Sequence, residues 1–122
     1  IQQQLAVLAG QVVTARSAAY VAFRDLPHIG RLESPRAEFS VAAAKICAGE
    51  AVRKGTSIAH QVHGAIGFTY EHSLNFATRR LWTWRGEFGN AAWWAERLGR
   101  AFVKAGADRF WENLTDRTIP TT

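Results

Sequence analysis

The sequence predicts an all-α protein, an antiparallel four-helix bundle, on three observations. Apolar residues recur every three or four positions through most of the chain, and proline and glycine gather only at a few separated points. No segment sustains two-residue alternation with β-branched enrichment, so no strand is expected. At 122 residues the chain suits one domain, and with 48% apolar and 20% charged residues it has the balance of a protein that packs a core.

The first helix is predicted from Ile1 to about Leu26, where Leu5, Leu8, Val12, Ala15, Ala19 and Phe23 keep helical spacing with Gln and Arg between them. Pro27 to Glu33 joins proline to glycine and is expected to reverse the chain. Ser34 before Pro35 supplies an N-cap side chain and a residue whose missing N–H costs nothing at the first helical position. The second helix begins there, with Phe39, Ala43, Cys47, Ala51, Ile58 and Val62 as its buried stripe. Its many alanines suit close approach to a neighbouring helix, and Glu50 and Lys54 form an i,i+4 pair on another face.

Gly64 is the expected stop of that helix, with a loop to about His72. A third helix follows from Ser73 to about Arg85, carrying Leu74, Ala77 or Thr78, Leu81 and Trp84 on one side, and Gly86-Glu87-Phe88-Gly89 breaks it. Asn90 can cap a fourth helix with Ala91, Trp94, Leu98, Ala101, Phe102 and Ala105 in register, expected to continue toward Trp111 and Leu114 despite Gly106.

Composition narrows the function classes. No stretch approaches the roughly 20 uninterrupted apolar residues of a bilayer-spanning helix, so no membrane partner is expected. The single cysteine, Cys47, allows no intramolecular disulfide and no thiolate cluster. The formal charge of +5 favours anionic partners. Acidic residues are interleaved with the basic ones from Glu87 onward, which reads as a solvated helical surface rather than a polyanion stripe. A stand-alone basic module binding nucleic acid is the outside alternative, and no nucleic acid is expected. The chain contains no methionine and opens inside an apolar-periodic segment, so it is expected to be a fragment of a longer chain.

His60 and His63, with His72 beyond, share a helix end, yet no acidic residue completes a familiar metal spacing. Structural histidines are the better reading, and no metal is expected. Gly64 and Gly67 lie between two helices, where bare backbone can approach a phosphate or a polar ring edge or can simply turn. Their context is Gln61-Val62-His63-Gly64-Ala65-Ile66-Gly67-Phe68-Thr69-Tyr70-Glu71-His72.

That segment resembles the Gln-x-x-Gly-Gly-x-Gly-Tyr/Phe-x-x-Glu motif of acyl-CoA dehydrogenases, and Arg79-Arg80 fits the basic end of the helix that follows it there. The order of helices is similar too, so the resemblance covers essentially the whole chain. It implies the carboxy-terminal helical domain of a flavin-dependent enzyme of fatty acid metabolism, an oxidoreductase for the α,β-dehydrogenation of an acyl-CoA thioester. An amino-terminal helical domain and a middle β domain that hold FAD would precede it in the parent chain. The resemblance further implies that Gln61, Val62, His63, Gly64, Ala65 and Gly67 reach across a subunit interface to the adenine-diphosphate part of a neighbouring subunit's FAD. The partners would be the same or sister subunits, in a homo- or hetero-oligomer expected to be a tetramer. The compartment would be the cytoplasm, or the mitochondrial matrix in a eukaryote.

Two positions depart from the family pattern. Ala65 stands for the second glycine of the pair, a small change. The place expected for the family's catalytic glutamate falls on Phe88, with Gly89 after it and Asn90 in place of threonine; Glu87 is one residue short. On a rigid helix one residue is a rotation of about 100°, though a loop between Gly86 and Gly89 could absorb it. Glu87 is therefore the candidate base. The alternatives are a base on an earlier helix, or a catalytically silent sister subunit of a heteromeric dehydrogenase. Trp82, Trp84, Trp93 and Trp94 read as core or interface packing.

Overall fold

The computed structural model describes residues 1–26, 34–66 and 71–121. Its helices are α1 (Gln2–Asp25), α2 (Pro35–Ile66), α3 (Glu71–Gly86) and α4 (Ala91–Ala105), then a 3-10 turn at Ala107–Arg109 and a short α5 (Phe110–Thr115). No strand occurs among the described residues, and the helical bundle expected from the sequence is what the chain builds. The turn predicted at 27–33 and residues 67–70 of the motif lie outside the described residues.

The 32 residues of α2 run about 48 Å and form the axis on which the other helices seat. The Ser34 hydroxyl accepts from the Ala37 N–H at 3.4 Å, and Pro35 takes the first helical position. Glu50 pairs with Lys54 at 3.1 Å as the spacing predicts, and also with Arg53 at 2.8 Å. α1 lies antiparallel along α2. Gln4 Nε2 donates to Gln61 Oε1 at 3.0 Å at one end, and Ser40 donates to Asp25 Oδ2 at 2.6 Å at the other.

α3 and α4 lie in tandem along α2, both antiparallel to it. α3 covers the carboxy-terminal half, where Thr78 meets His60, and α4 covers the amino-terminal half, where Phe102 meets Phe39 with ring centroids 6.2 Å apart. Gly49 is what lets α4 come close: a Cβ built there would stand 2.6 Å from Ala91 Cβ. Arg97 of α4 pairs with Glu38 of α2, and Arg100 pairs with Glu96, so part of the late basic run is neutralised locally.

Several boundaries differ from expectation. α2 does not stop at Gly64 but runs on to Ile66, and α3 begins at Glu71 rather than Ser73. A glycine inside a helix costs only about 1 kcal/mol, too little to end a long helix already seated on its neighbours. Conversely α4 does not continue through Gly106, which takes φ 88° and ends it. The chain then turns so that Phe110 packs edge-on to Phe102 at 5.4 Å, buries Asn113, and brings Ile119 N–H to the Pro35 carbonyl at 3.0 Å. Arg117, at φ 51°, reaches the buried Asp25 carboxylate at 3.2 Å.

The core is thin. Among the described residues Ala22, Ala37, Phe39, Ala42, Val62 and Ile119 are the buried apolar ones, while Ala43, Cys47, Ala51 and Ile58 of the predicted stripe are half-buried. The predicted stripe of α1 is largely open, with Leu5, Val12 and Phe23 exposed. Trp82, Trp84 and Trp93 are exposed as well, so the tryptophans are not core. α1 is long enough and apolar enough, at a mean hydropathy of 1.3, to match a membrane span by composition. Gln11 and Arg16 interrupt it, and it is hydrogen-bonded to α2 near both ends.

Candidate functional site

The first candidate region is the carboxy-terminal end of α2. Val62 is buried, so its side chain anchors the segment, with Gln61 and Gly64 exposed and His63 half-buried beside it. Gln61 is exposed; its amide oxygen accepts from Gln4, and its amide N–H groups remain to donate. His63 Nδ1 lies 2.8 Å from the Ala59 carbonyl, which can only accept, so Nδ1 carries the proton and Nε2 is an acceptor without a hydrogen bond among the described residues. Among the described residues nothing outside its own helix stands within 4 Å of where a Gly64 Cβ would be. Ala65 is helical, and Gly67 lies outside the described residues. His60 is a structural histidine, its Nε2 2.9 Å from Thr78 Oγ1. Gln61 supplies amide donors, His63 Nε2 an acceptor and Gly64 an uncrowded backbone, a set that can hydrogen-bond a polar ring edge in both directions.

The second region is the corner between α3 and α4. Glu87 is exposed, its N–H bonded to the Trp84 carbonyl at 3.2 Å. Lys45, from the middle of α2, donates to the Glu87 carbonyl at 2.6 Å, and the Trp94 indole N–H donates to the Phe88 carbonyl at 3.0 Å. Phe88 takes φ 56° and Gly89 φ 86°. A Cβ on Gly89 would meet Trp93 Cε3 at 2.9 Å and Trp94 Nε1 at 3.0 Å, so both the backbone angle and the space require glycine. Asn90 caps α4, its Oδ1 accepting from the Trp93 N–H at 2.8 Å, as the sequence predicts.

The two regions do not converge. Lys45, which holds the corner, lies sixteen residues before Gln61 on one continuous helix, a separation of roughly 24 Å. A residue at the corner and one at the end of α2 therefore address different points of any ligand.

Lys45 and Trp94 hold the candidate corner in a way that sequence reasoning missed. A lysine within the small-residue run from Val41 to Ala48 is the one signal that could have drawn attention, since an ammonium on a face meant for close helix approach must find an acceptor.

An apolar groove of about 380 Å³ opens between α1 and α3 over α2. Leu8, Val12 and Ala15 line one wall, Leu74, Ala77 and Leu81 the other, and Ala51, Val52 and Gly55 the floor. The apolar stripes that sequence spacing assigns to the first and third helices thus face each other across open space.

Against protein-family models, residues 1–106 match the one described as acyl-CoA dehydrogenase, C-terminal domain. No curated protein and no solved structure matches the chain.

Proposed function

Because this chain belongs to the acyl-CoA dehydrogenase family, as its carboxy-terminal domain, we propose that it closes the flavin and substrate sites of an FAD-dependent enzyme that desaturates acyl-CoA thioesters. The observation that carries this reading is the carboxy-terminal end of α2, where the Gln61 amide presents donors, His63 Nε2 an acceptor and Gly64 an uncrowded backbone, with Val62 anchored beneath them. FAD, when bound, supplies the acceptor for the hydride leaving the β-carbon of the substrate. Gln61 would donate to its adenine-diphosphate part, His63 Nε2 would orient that end, and Gly64 would admit it to contact distance.

The roughly 24 Å between this end and the α3–α4 corner supports a division of labour in which the end of α2 serves a neighbouring subunit's flavin and the corner serves the chain's own acyl site. Exposed surface supports assembly. A compact 13.5 kDa protein is expected to expose about 6,500 Å², whereas this chain exposes 8859 Å². A surplus of roughly 2,300 Å² on one partner is of the size that obligate subunit interfaces cover.

A second reading, a catalytically silent subunit paired with an active sister, is favoured by the corner itself. With the carbonyls of both Glu87 and Phe88 held by side chains from other helices, the turn has little freedom to shift Glu87 by the one residue that catalysis would require.

The test uses the full-length chain with its assembled subunits. Wild type is expected to purify with flavin absorbance, and Gln61→Ala is expected to raise the FAD dissociation constant about tenfold, the loss of one or two hydrogen bonds to a charged group. A full-length protein that is colourless and cannot be reconstituted with FAD would overturn the proposal. Glu87→Gln then separates the readings: collapsed turnover makes Glu87 the base, and unchanged turnover puts the base elsewhere.

A further inference from the structure

Between the middle of α2, the end of α3 and the first turns of α4 lies a cavity of about 520 Å³. It stays open because its walls are small: Gly49, Gly86, Ala91, Ala92 and Ala95 carry no side chain long enough to close it. Charged groups sit at its margin, where Glu50, Arg53 and Arg85 share the lining with Trp82. Arg53 closes a two-pronged ion pair on Glu50, at 2.8 and 3.0 Å, and the Arg85 guanidinium lies 3.8 Å over the Trp82 ring. Lys54 reaches the same carboxylate at 3.1 Å, and hydrogen bonds from Arg53 and Lys54 hold the Glu50 carboxyl down at about 2, so it is an anion near neutrality. Arg85 has no ion pair among the described residues. Arg53, Lys54 and Arg85 against Glu50 alone leave an excess of two positive charges beside the cavity.

We infer that this cavity binds a phosphate monoester with a ring-bearing body, the chemistry of a nucleoside monophosphate, its phosphate between Arg53 and Arg85 and its ring beside Ile46 and Trp82. The excess charge matches the roughly −1.5 to −2 that a phosphate monoester carries near neutrality. Planar guanidinium forks suit phosphate oxygens, and both are already held, so little freedom is lost on binding. The volume falls within the roughly 300–1,000 Å³ of small-molecule sites and is far more than a bare phosphate fills. A nucleic-acid strand would need the free charge to continue along the surface, but Arg97 and Arg100 farther along α4 are paired with Glu38 and Glu96. A partner subunit laid flat over Trp82 would leave the hollow unfilled, which close-packed interfaces avoid. Neither Glu87 nor Phe88 lines the cavity, and Gln61 lies about 12 Å farther along α2 than Arg53, so this ligand is additional to the flavin and acyl-CoA of the reading above.

The experiment is calorimetric titration of the full-length assembled protein with guanosine monophosphate, guanosine and inorganic phosphate, with and without saturating acyl-CoA. Guanine is used so that the probe is not a piece of FAD or CoA. Guanosine monophosphate is expected to bind, with guanosine and inorganic phosphate each at least about tenfold weaker, and acyl-CoA is expected to leave its affinity unchanged. Arg85→Gln should weaken it about tenfold, and Arg85→Lys, which keeps the charge without the fork, should recover only part of the loss. Ala92→Leu sits at an exposed helical position, keeps every charge and fills the cavity, so it should abolish binding while melting temperature and flavin content stay at wild-type values. No binding of guanosine monophosphate to wild type would overturn the inference, as would equal binding of guanosine. So would wild-type affinity in Ala92→Leu, which would leave only a diffuse basic surface, or a change of oligomer size in that variant, which would make the hollow a subunit contact. Displacement by acyl-CoA would overturn it too, because the occupant would then be the substrate.

Discussion

Alanine at Gly49 sets a gain in helix propensity against a steric clash, and the sign of the outcome decides whether α4 seats on α2 at this point. Gly49 is buried inside α2, and replacing an interior helical glycine by alanine ordinarily stabilises by about 0.5–1 kcal/mol. Here the new methyl would stand 2.6 Å from Ala91 Cβ, with Ala91 Cα at 3.7 Å behind it. Carbon atoms rest about 3.5–4.0 Å apart, so α4 must retreat by roughly 1 Å. A gap of that size forfeits a quarter to a half of each affected contact, and overpacking of this kind costs about 1–3 kcal/mol. The clash therefore wins, with a net loss of about 1–2 kcal/mol. At this chain length that is a fall in melting temperature of about 3–10 °C, read by helical circular dichroism during thermal unfolding. The control is Gly10→Ala in α1, where nothing lies within 4 Å of the added methyl; it keeps the propensity gain alone and should melt about 2–4 °C higher than wild type. If Gly49→Ala melts at or above wild type while Gly10→Ala behaves as stated, the tandem seating of α3 and α4 on α2 is wrong. Because Ala91 follows the Asn90 cap, the same retreat should also disturb the clamped corner.

Two further substitutions test the corner and the closed end of the bundle. Gly89→Ala forces a Cβ onto φ 86° and against both Trp93 and Trp94, and should destabilise by about 1–3 kcal/mol while changing tryptophan fluorescence as the Trp94 bond to the Phe88 carbonyl is lost; a neutral substitution would remove the clamp. Asp25 is held below its ordinary value of 3.8, chiefly by the Ser40 hydroxyl and further by Arg117 and Arg24, with burial opposing them. A depressed carboxyl contributes stability that is present above its unfolded pKa and is lost as pH falls through the folded one. The wild-type advantage over Asp25→Asn should thus be complete near neutrality and shrink below pH 3.8. Urea midpoints measured across that window should converge on the acid side, and curves that stay parallel would show that the Asp25–Arg117 closure does not couple to folding.

What could be read from the sequence was what is decided within a few residues. The Ser34 and Asn90 caps, the Glu50–Lys54 pair and the break after Arg85 are all local, and all hold. The glycines show where local reasoning stops. Gly64 was expected to end a helix and Gly106 to be passed through, and the opposite holds, because each costs a helix the same and the rest of the fold decides. Beyond Gly106, turning the chain lets Phe110 reach Phe102 and lets Arg117 find Asp25, gains that continuing the helix would forgo. The bond from Lys45 to the Glu87 carbonyl spans 42 positions and ends on a main-chain atom, so no side-chain pattern encodes it.

The stripes of α1 and α3 make the complementary point. Their spacing identified faces that need burial, but period alone does not say what buries them. In this domain Leu8 and Leu74 face each other across an open groove rather than a closed core. Residues that satisfy helical periodicity yet remain exposed in their own domain are the ones whose partners lie outside it. That argument, applied to the groove, calls for another apolar surface.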